Sequence, residues 1–322
     1  MTTHECSIAI IGAGGIANAH IQAAEDNGFP IVAVVDPSEE AVSRAAAKTG
    51  AKAYASTEAM LTDGVQPKLA VVCTPPSARD DAVRRLLGAG VGILAEKPLA
   101  HTPDEAAKLL EIARSHADVL TAVGYCHRFA PAIMKMRSLV TNGAIGDLVR
   151  FENVFACTIP GMESRWMSDP AISGGGSLID TGSHSLDLFR YLVGPAKVES
   201  VVPYKPWAGR GEAAATVLVS ERESGIAGVV LSGWAEPARF VVSLVGTDAI
   251  LSYDYEKPTE LTRLNADGTS HVIEVETHEI RFARQLAAAA ACTRGQPRGE
   301  LASFEDGLAV AEDVGQALAS AG

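Results

Sequence analysis

Glycines at a spacing that suits the binding of an anion occur near the start of the chain. The segment Gly12-Ala13-Gly14-Gly15-Ile16-Ala17 matches G-x-G-x-x-A, follows a short apolar run and opens a helical pattern. The first glycine of such a loop permits a tight turn, and the second lets a pyrophosphate approach the backbone. The helix N–H groups then face the anion, so the segment predicts a dinucleotide site, against the alternative of a simple tight turn. The residues predicted to contact the cofactor here are Gly12, Gly14, Gly15 and Ile16.

An acidic residue follows at the spacing that this kind of loop requires. Asp36 ends the second predicted strand, about 20 residues beyond the glycines, where a carboxylate can accept hydrogen bonds from the adenosine ribose. A carboxylate would repel a 2′-phosphate, and the following segment Pro37-Ser38-Glu39-Glu40 adds negative charge rather than an arginine. The sequence therefore predicts NAD in preference to NADP. The alternative role for Asp36 is a simple N-cap of the next helix.

Two segments that contain proline end predicted strands. Thr74-Pro75-Pro76 follows one strand and Glu96-Lys97-Pro98 follows the next. Because ligands of doubly wound sheets bind outside the carboxyl ends of the strands, both segments are predicted to line the cofactor crevice. Pro98 restricts the backbone of Lys97, and a cis bond is expected there. The predicted cofactor contacts are Thr74, Pro76, Glu96 and Lys97; the alternative for Lys97 is a solvated surface side chain.

A second cluster of chemistry-bearing residues runs from Gly174 to Asp187. On a helix, Asp180, His184 and Asp187 would share one face. A carboxylate beside a histidine can orient the ring and raise its basicity, and histidine exchanges protons readily near neutral pH. Asp180 and His184 also have the spacing of two metal ligands, but no further His/Cys cluster supplies the others, so no metal is predicted. The alternative for His184 is a structural histidine with its hydrogen bonds satisfied.

Short aliphatic runs alternate with helical patterns over residues 1–123. The predicted strands are 7–11, 31–35, 69–73, 91–95 and 119–123, and the predicted helices are 38–48, 77–89 and 103–117. Thr102-Pro103-Asp104-Glu105 supplies an N-cap, an N1 proline and an N3 glutamate to the last helix. Alternating strands and helices predict an α/β Rossmann domain, a doubly wound parallel sheet that binds NAD.

The alternation of strands and helices ends beyond residue 123. Residues 124–322 are predicted to form an α+β domain that has a large, mostly antiparallel sheet and binds substrate. Its predicted helices are 131–141, 177–193, 277–293 and 303–320, and its predicted strands are 148–157, 197–202, 213–219, 226–234, 240–245, 261–265 and 272–275. A broad antiparallel sheet leaves one face uncovered, and strands such as Ile226–Leu231 are largely apolar. The expected state is therefore a homodimer or homotetramer.

Composition excludes several classes of protein. The 322 residues are 47% hydrophobic and 20% charged, as in ordinary globular proteins, and are enough for about two domains. The net charge of −12 argues against a nucleic-acid partner. No apolar stretch approaches the ~20 residues of a membrane span. Five cysteines, an odd number without a CxxC pair, predict a reduced, cytoplasmic setting.

The order of these motifs resembles that of a known family. The glycine loop, Asp36, Thr-Pro-Pro, Glu-Lys-Pro and the segment with Asp180 and His184 occur in the order found in the glucose–fructose oxidoreductase / inositol dehydrogenase / MocA (Gfo/Idh/MocA) family, and the domain layout agrees over the whole chain. Glu-Lys-Pro followed by Asp-x3-His is specific for this family, whereas the glycine loop is not.

The resemblance implies a dehydrogenase or reductase that uses NAD(P) and acts on a hydroxyl of a sugar, cyclitol or related polyol. It implies that Lys97 lies near the nicotinamide and the reacting oxygen, and that His184 accepts the proton with Asp180 beside it. These are the predicted catalytic residues. The chemistry is consistent, since a cation stabilises the developing alkoxide and a base takes the proton.

Three positions depart from the usual family pattern. Cys126 stands where asparagine is frequent, Met167 follows a tryptophan where arginine is frequent, and Arg79 stands where histidine is frequent. These departures make it unsafe to transfer substrate contacts from any relative. The candidates for lining the substrate pocket are Tyr125, Arg128, Arg165 and Trp166, each against the alternative of a packing or surface role.

Two other functions occur within the same family. One is an NAD-using glycosidase, although such relatives tend to be longer and exported. The other is a regulator that binds NAD(P) without turnover, which the retention of Lys97, Asp180 and His184 argues against.

Overall fold

The computed structural model describes residues 6–320 and divides the chain into two compact units. The first contains the chain up to Cys126 together with Phe282–Leu308, and the second contains His127–Arg281 together with the chain from Ala309 onward. The sequence predicts one boundary, between residues 123 and 124. The structure differs because the chain returns to the first unit, and nothing in the helical pattern near residue 282 marks which unit that helix joins.

A six-stranded parallel sheet organises the first unit. Its strands are β1 (Ile8–Ile11), β2 (Ile31–Val35), β3 (Lys52–Tyr54), β4 (Leu69–Val72), β5 (Gly92–Ala95) and β6 (Thr121–Val123), in the order β3-β2-β1-β4-β5-β6. All residues of β1, β4, β5 and β6 are buried, as expected of parallel strands covered on both faces. The predicted Rossmann sheet is thus confirmed. The sequence reading missed β3, a three-residue edge strand without an apolar run.

The helices between these strands are α1 (Ala17–Asp26), α2 (Glu39–Thr49), α3 (Thr57–Thr62), α4 (Asp80–Gly88) and α5 (Pro103–Arg114). Helices α2, α4 and α5 end within three residues of the predicted positions, α1 is the helix that the glycine loop is expected to open, and α3 is not predicted from the sequence. Thr102 caps α5 by accepting the N–H of Glu105 through its hydroxyl, with Pro103 at the first helical position. A 3₁₀ turn at Pro76–Ala78 replaces the predicted start of α4.

An eight-stranded sheet organises the second unit. Its strands are β7 (Leu148–Ala156), β8 (Ala196–Tyr204), β9 (Ala214–Glu221), β10 (Ala227–Gly233), β11 (Arg239–Gly246), β12 (Ala249–Asp254), β13 (Glu260–Asn265) and β14 (Ser270–Glu274). The order is β14-β13-β12-β11-β7-β10-β9-β8, antiparallel throughout the described chain except between β7 and β10. The predicted mostly antiparallel sheet is confirmed. The sequence reading missed β12, which follows β11 after only two residues.

The remaining helices are α6 (Pro131–Thr141), α7 (Pro170–Ser173), α8 (Ser183–Leu192), α9 (Arg281–Cys292) and α10 (Phe304–Ser320). The helix predicted over 177–193 is regular only in α8, because a π-helical turn, Leu178–Gly182, precedes it. Among residues 6–320, no helix has the length and apolar character needed to cross a bilayer.

The segment that returns to the first unit covers the β6 edge of the parallel sheet. Val123 donates its N–H to the carbonyl of Ala302, and Arg298 donates to the carbonyl of Thr121 at 2.7 Å. At the start of α9, the side chain of Asn27 donates to the carbonyl of Ala283. These contacts join the segment to the rest of the first unit near both of its ends.

Candidate active site

The glycine loop fits the backbone of a dinucleotide-binding turn. Gly12 has φ +94°, and a Cβ there would lie 2.9 Å from backbone atoms of Cys73 and Thr74, so only glycine is accommodated. At Gly14 and Gly15, by contrast, a Cβ would meet nothing within 4 Å. The loop therefore packs tightly on the β4 side and leaves open space on the other, where the exposed Ile16 precedes α1.

Asp36 ties this loop to the end of β2. Its Oδ2 accepts the N–H of Ala13 at 2.7 Å, and its Oδ1 accepts the N–H of Ser38 at 2.8 Å. Ser38 is the N-cap of α2, since its hydroxyl accepts the N–H of Ala41. Asp36 is therefore not that cap. Each of its half-buried carboxylate oxygens retains capacity for a further hydrogen bond.

The residues after β4 and β5 surround a buried carboxylate. Glu96 accepts hydrogen bonds from Nε2 of His20 at 2.7 Å and from the N–H of Lys97 at 3.1 Å. Although burial raises the pKa of Glu96, the hydrogen bond from His20 and the nearby positive charges bring that pKa below its ordinary value. The expected cis bond joins Lys97 to Pro98. Glu96, predicted to contact the cofactor, thus uses Oε1 to accept from His20 and Oε2 to hold the backbone N–H of Lys97.

Thr74 offers a polar group that the protein does not use. Its hydroxyl is buried and has no hydrogen-bond partner in the described chain. A buried hydroxyl without a partner is costly, and a bound ligand would supply one. The open space at Gly14 and Gly15, the carboxylate of Asp36 and this hydroxyl fit a dinucleotide, and they belong to the predicted cofactor contacts. Pro76, another of these, is buried in the 3₁₀ turn.

Asp180 lies in the π-helical turn of the second unit. The indole Nε1 of Trp234, a fully buried side chain, donates to its Oδ2 at 3.1 Å. Glu212 holds the start of the same turn by accepting the N–H groups of Gly176 and Leu178, and burial raises the pKa of Glu212. The sequence reading missed Trp234 and Glu212. The signal available for Trp234 was its place at the end of a predicted strand.

His184 lies in the first turn of α8, against a second imidazole. The rings of His184 and His127 meet edge to face with centroids 4.6 Å apart. His127 in turn shares a 2.6 Å hydrogen bond, through Nδ1, with the hydroxyl of Tyr255. Asp180 and His184 are thus both half-buried and each contacts an aromatic partner, Trp234 in one case and His127 in the other.

Three residues that could bind a metal, one of them His184, lie close together. Cys126, His127 and His184 each offer one ligand atom, and these atoms lie within 4.8 Å of one another. No metal is predicted from the sequence, because no His/Cys cluster accompanies Asp180 and His184 along the chain. The structure supplies such a cluster, and Asp180 is not part of it.

Arg128 and Asp187 form a buried ion pair. Nε of Arg128 donates to both carboxylate oxygens at 3.0–3.1 Å, and its Nη2 donates to Oδ1 at 2.6 Å. Tyr191 stacks beneath the guanidinium groups of Arg128 and Arg137. This guanidinium, predicted to line the substrate pocket, bonds to a residue of the helix that carries His184, and its role toward a substrate stays a prediction. Asp187, predicted to share a face with Asp180 and His184, accepts these hydrogen bonds from Arg128.

The other substrate candidates lie in different environments. Tyr125 is buried in the first unit, with 1% of its surface exposed. Arg165 is exposed between two short 3₁₀ turns of the second unit, and Trp166, exposed to 45%, begins the second of them. Arg165 donates to the carbonyl of Pro160 at 3.2 Å. Their roles toward a substrate stay predictions.

Comparison with known proteins assigns two consecutive segments of the chain to one family. A model described as an oxidoreductase family with an NAD-binding Rossmann fold matches residues 6–125, and the C-terminal domain model of the same GFO/IDH/MocA family matches residues 133–252. The chain is similar to D-glucoside 3-dehydrogenase of Escherichia coli K12, with 34% identity over 62% of this chain and 58% of that protein. The match thus spans less than two thirds of that relative. It is also similar to rhizopine catabolism protein MocA of Rhizobium meliloti, with 29% identity over 70% of each chain.

Solved structures share the fold over nearly the whole chain. Levoglucosan dehydrogenase in complex with NADH superposes with a TM-score of 0.88 at 19% identity, over 99% of this chain and 97% of that one. An inositol dehydrogenase homologue from Azotobacter vinelandii, in complex with NAD⁺, gives 0.87 at 20% identity, over 99% and 96%.

Proposed function

Because the chain belongs to the GFO/IDH/MocA family of oxidoreductases with an NAD-binding Rossmann fold, we propose that it is an NAD-dependent dehydrogenase or reductase. It transfers hydride between nicotinamide and a hydroxyl or keto group of a sugar, inositol or related polyol. The observation that carries the proposal is the glycine loop, closed against β4 at Gly12, open at Gly14 and Gly15, and tied to Asp36. The names of relatives, among them a D-glucoside 3-dehydrogenase and inositol 2-dehydrogenases, support this substrate class.

The proposed chemistry divides the removal of two hydrogens from a secondary alcohol between cofactor and protein. The nicotinamide, when bound, accepts the hydride from carbon. His184 takes the hydroxyl proton onto a ring nitrogen, and the ammonium of Lys97 stabilises the negative charge that develops on the oxygen. Asp180, held by Trp234, contributes a fixed carboxylate beside the substrate. In the reductive direction His184 returns the proton to the oxygen.

The roles of Lys97 and His184 are tested by replacing them separately. Lys97→Met and His184→Ala are each expected to lower turnover by about 10²–10⁴-fold while leaving NAD affinity unchanged. Matched controls are Lys108→Met and His271→Ala, which remove exposed side chains of the same types. Near-normal turnover in both test variants would exclude the proposed roles.

A panel of sugars and inositols, with reduced cofactor followed by absorbance, separates this enzyme from a regulator of the same family. Turnover on at least one compound is expected. Binding of NAD without turnover on any of them would favour the regulator.

We propose NAD rather than NADP as the cofactor. The carboxylate of Asp36 lies at the end of β2, and Glu39 and Glu40 follow it in the first turn of α2. This concentration of negative charge disfavours a 2′-phosphate. Steady-state kinetics with both cofactors test the preference, and a lower KM for NADP would contradict it.

We propose that the protein is a homodimer or homotetramer joined through one face of the eight-stranded sheet. Val202, Tyr204 and Leu218 are exposed there, Val202 to 71%, and the strand register places them on the same face. Exposed apolar area of this kind favours association with a second copy. Mass measurement in solution tests this, since a monomer would overturn it and Val202→Glu with Leu218→Glu should dissociate an oligomer.

The proposed setting is the cytoplasm. None of the five cysteines, all of which lie in the described part of the chain, forms a disulfide.

A further inference from the structure

Arg79 is a charged side chain that is almost completely buried. It stands between the 3₁₀ turn after β4 and the first residue of α4, yet only 1% of its surface is exposed. Burial lowers the pKa of Arg79 to about 10, which leaves the side chain charged at neutral pH. A buried cation is costly unless its donors are satisfied, so its contacts indicate what it does.

The guanidinium of Arg79 joins the two segments that end β4 and β5. Its Nη2 donates to the carbonyl of Thr74 at 2.8 Å. Its Nη1 donates to the carbonyls of Glu96, Pro98 and Leu99, the last at 3.0 Å. The guanidinium of Arg79 therefore holds the backbone of the segment after β4 together with that of the segment after β5.

These acceptors surround Lys97 in the chain. The carbonyls of Glu96 and Pro98 lie immediately before and after Lys97, and both bond to the same nitrogen of Arg79. The N–H of Lys97 is held by the carboxylate of Glu96, which His20 supports from α1. The backbone on both sides of Lys97 is thus fixed by buried, charge-assisted hydrogen bonds.

We propose that Arg79 is a positioning residue that fixes the backbone of Lys97, and through it the direction in which the ammonium group is presented to the substrate oxygen. This inference rests on the proposed function of Lys97. Lysine could not replace Arg79 fully, because a single ammonium cannot reproduce a planar fork that serves carbonyls on two segments. Arg79 touches neither substrate nor cofactor in this role.

The test is a double-mutant cycle on turnover. Arg79→Ala is expected to lower kcat by about 10²-fold, the loss typical of a misplacement of about 1 Å, with a smaller effect on NAD affinity. If Arg79 acts through Lys97, adding Arg79→Ala to Lys97→Met should cause no further loss. Arg84→Ala, on the exposed face of α4, is the matched control and should keep wild-type kcat.

Chemical rescue supplies a readout that a merely structural role would not give. Millimolar guanidinium should partly restore kcat in Arg79→Ala but not in Lys97→Met, with sodium chloride at equal ionic strength as the control. If Arg79→Ala does not fold, Arg79→Lys takes its place in the cycle. Its kcat is expected to fall by about tenfold in the wild-type background and not to fall in the Lys97→Met background.

The possible outcomes separate the two proposals. Multiplicative losses in the double variant, or wild-type kcat in Arg79→Ala, would overturn the positioning role alone. Wild-type turnover in Lys97→Met would instead remove the proposed role of Lys97, whatever Arg79 does.

Discussion

The indole of Trp234 donates a hydrogen bond that helps to orient the carboxylate of Asp180. Trp234→Phe keeps most of the ring volume and removes the donor, so the free energy of unfolding should fall by about 1–3 kcal/mol and turnover should fall with it. Urea denaturation and steady-state kinetics measure the two effects. Trp166→Phe, at an exposed position, is the matched control for stability. Wild-type stability and turnover in Trp234→Phe would show that the hydrogen bond does not hold Asp180.

At the scale of single residues, the sequence predicts which side chains carry chemistry better than it predicts their partners. Asp36 and Lys97 are found at strand ends because motif spacing and sheet topology act together. Arg128 is the opposite case. Its partner, Asp187, is distant in sequence, and no local pattern distinguishes an arginine in a buried pair from one that faces a substrate.

The ion pair of Arg128 and Asp187 holds helix α8. Replacing one member of the pair should lower the free energy of unfolding more than replacing both. Asp187→Ala removes a carboxylate that contacts the buried guanidinium and should cost about 3–5 kcal/mol of unfolding free energy. Arg128→Met with Asp187→Leu buries no unpaired charge and should cost much less. Denaturant unfolding of the single and double variants measures this, and equal losses in the two would contradict it.

The last turn of α8, at Arg190, contacts a carboxyl group that makes the stability of the protein depend on pH. Arg190 donates to Asp313 on α10 at 2.8 Å, but burial raises the pKa of Asp313 to about 6. The folded state therefore holds a proton between about pH 4 and 6 that the unfolded state releases. This contribution to stability is complete below the unfolded pKa and is lost as the pH rises through about 6.

Asp313→Asn removes that titration. Relative to the variant, the wild type should be more stable at pH 4.5 than at pH 7.5 by about 2 kcal/mol. Thermal or urea unfolding at the two pH values measures the difference. A constant difference across this range, or one of opposite sign, would show that Arg190 keeps the carboxylate ionised.

Among the secondary-structure elements, those with a short continuous apolar run are predicted from the sequence. Strands β1, β2, β4, β5 and β6 are buried or mostly buried runs bounded by turns, and the structure confirms them. The π-helical turn at Leu178–Gly182 could not be predicted, because its extra residue per turn depends on tertiary contacts such as those of Glu212.

At the scale of the whole molecule, the first unit is built from two separate stretches of chain. The longer stretch, residues 1–126, should therefore lose stability when it is expressed alone. Leu286, Leu301 and Phe304 are fully or almost fully buried, and the segment that contains them covers the β6 edge. Residues 1–126 alone should therefore lack a cooperative thermal transition. Joining residues 282–308 to them through a flexible Gly/Ser linker should restore it. A cooperative transition at the same temperature in both would contradict the prediction.

Strand β7 lies between β10 and β11, which are consecutive in the chain, and pairs with both. The meanders β8–β10 and β11–β14 can each form from neighbouring hairpins, but the centre of the sheet closes only when a strand from much earlier in the sequence enters between them. Non-local strand pairing of this kind is slow compared with local pairing, because its loop-closure entropy is paid before the new contacts form. We therefore expect the pairing of β7 to limit the folding rate of the second unit, and until it occurs the inner edges of β10 and β11 stay unpaired.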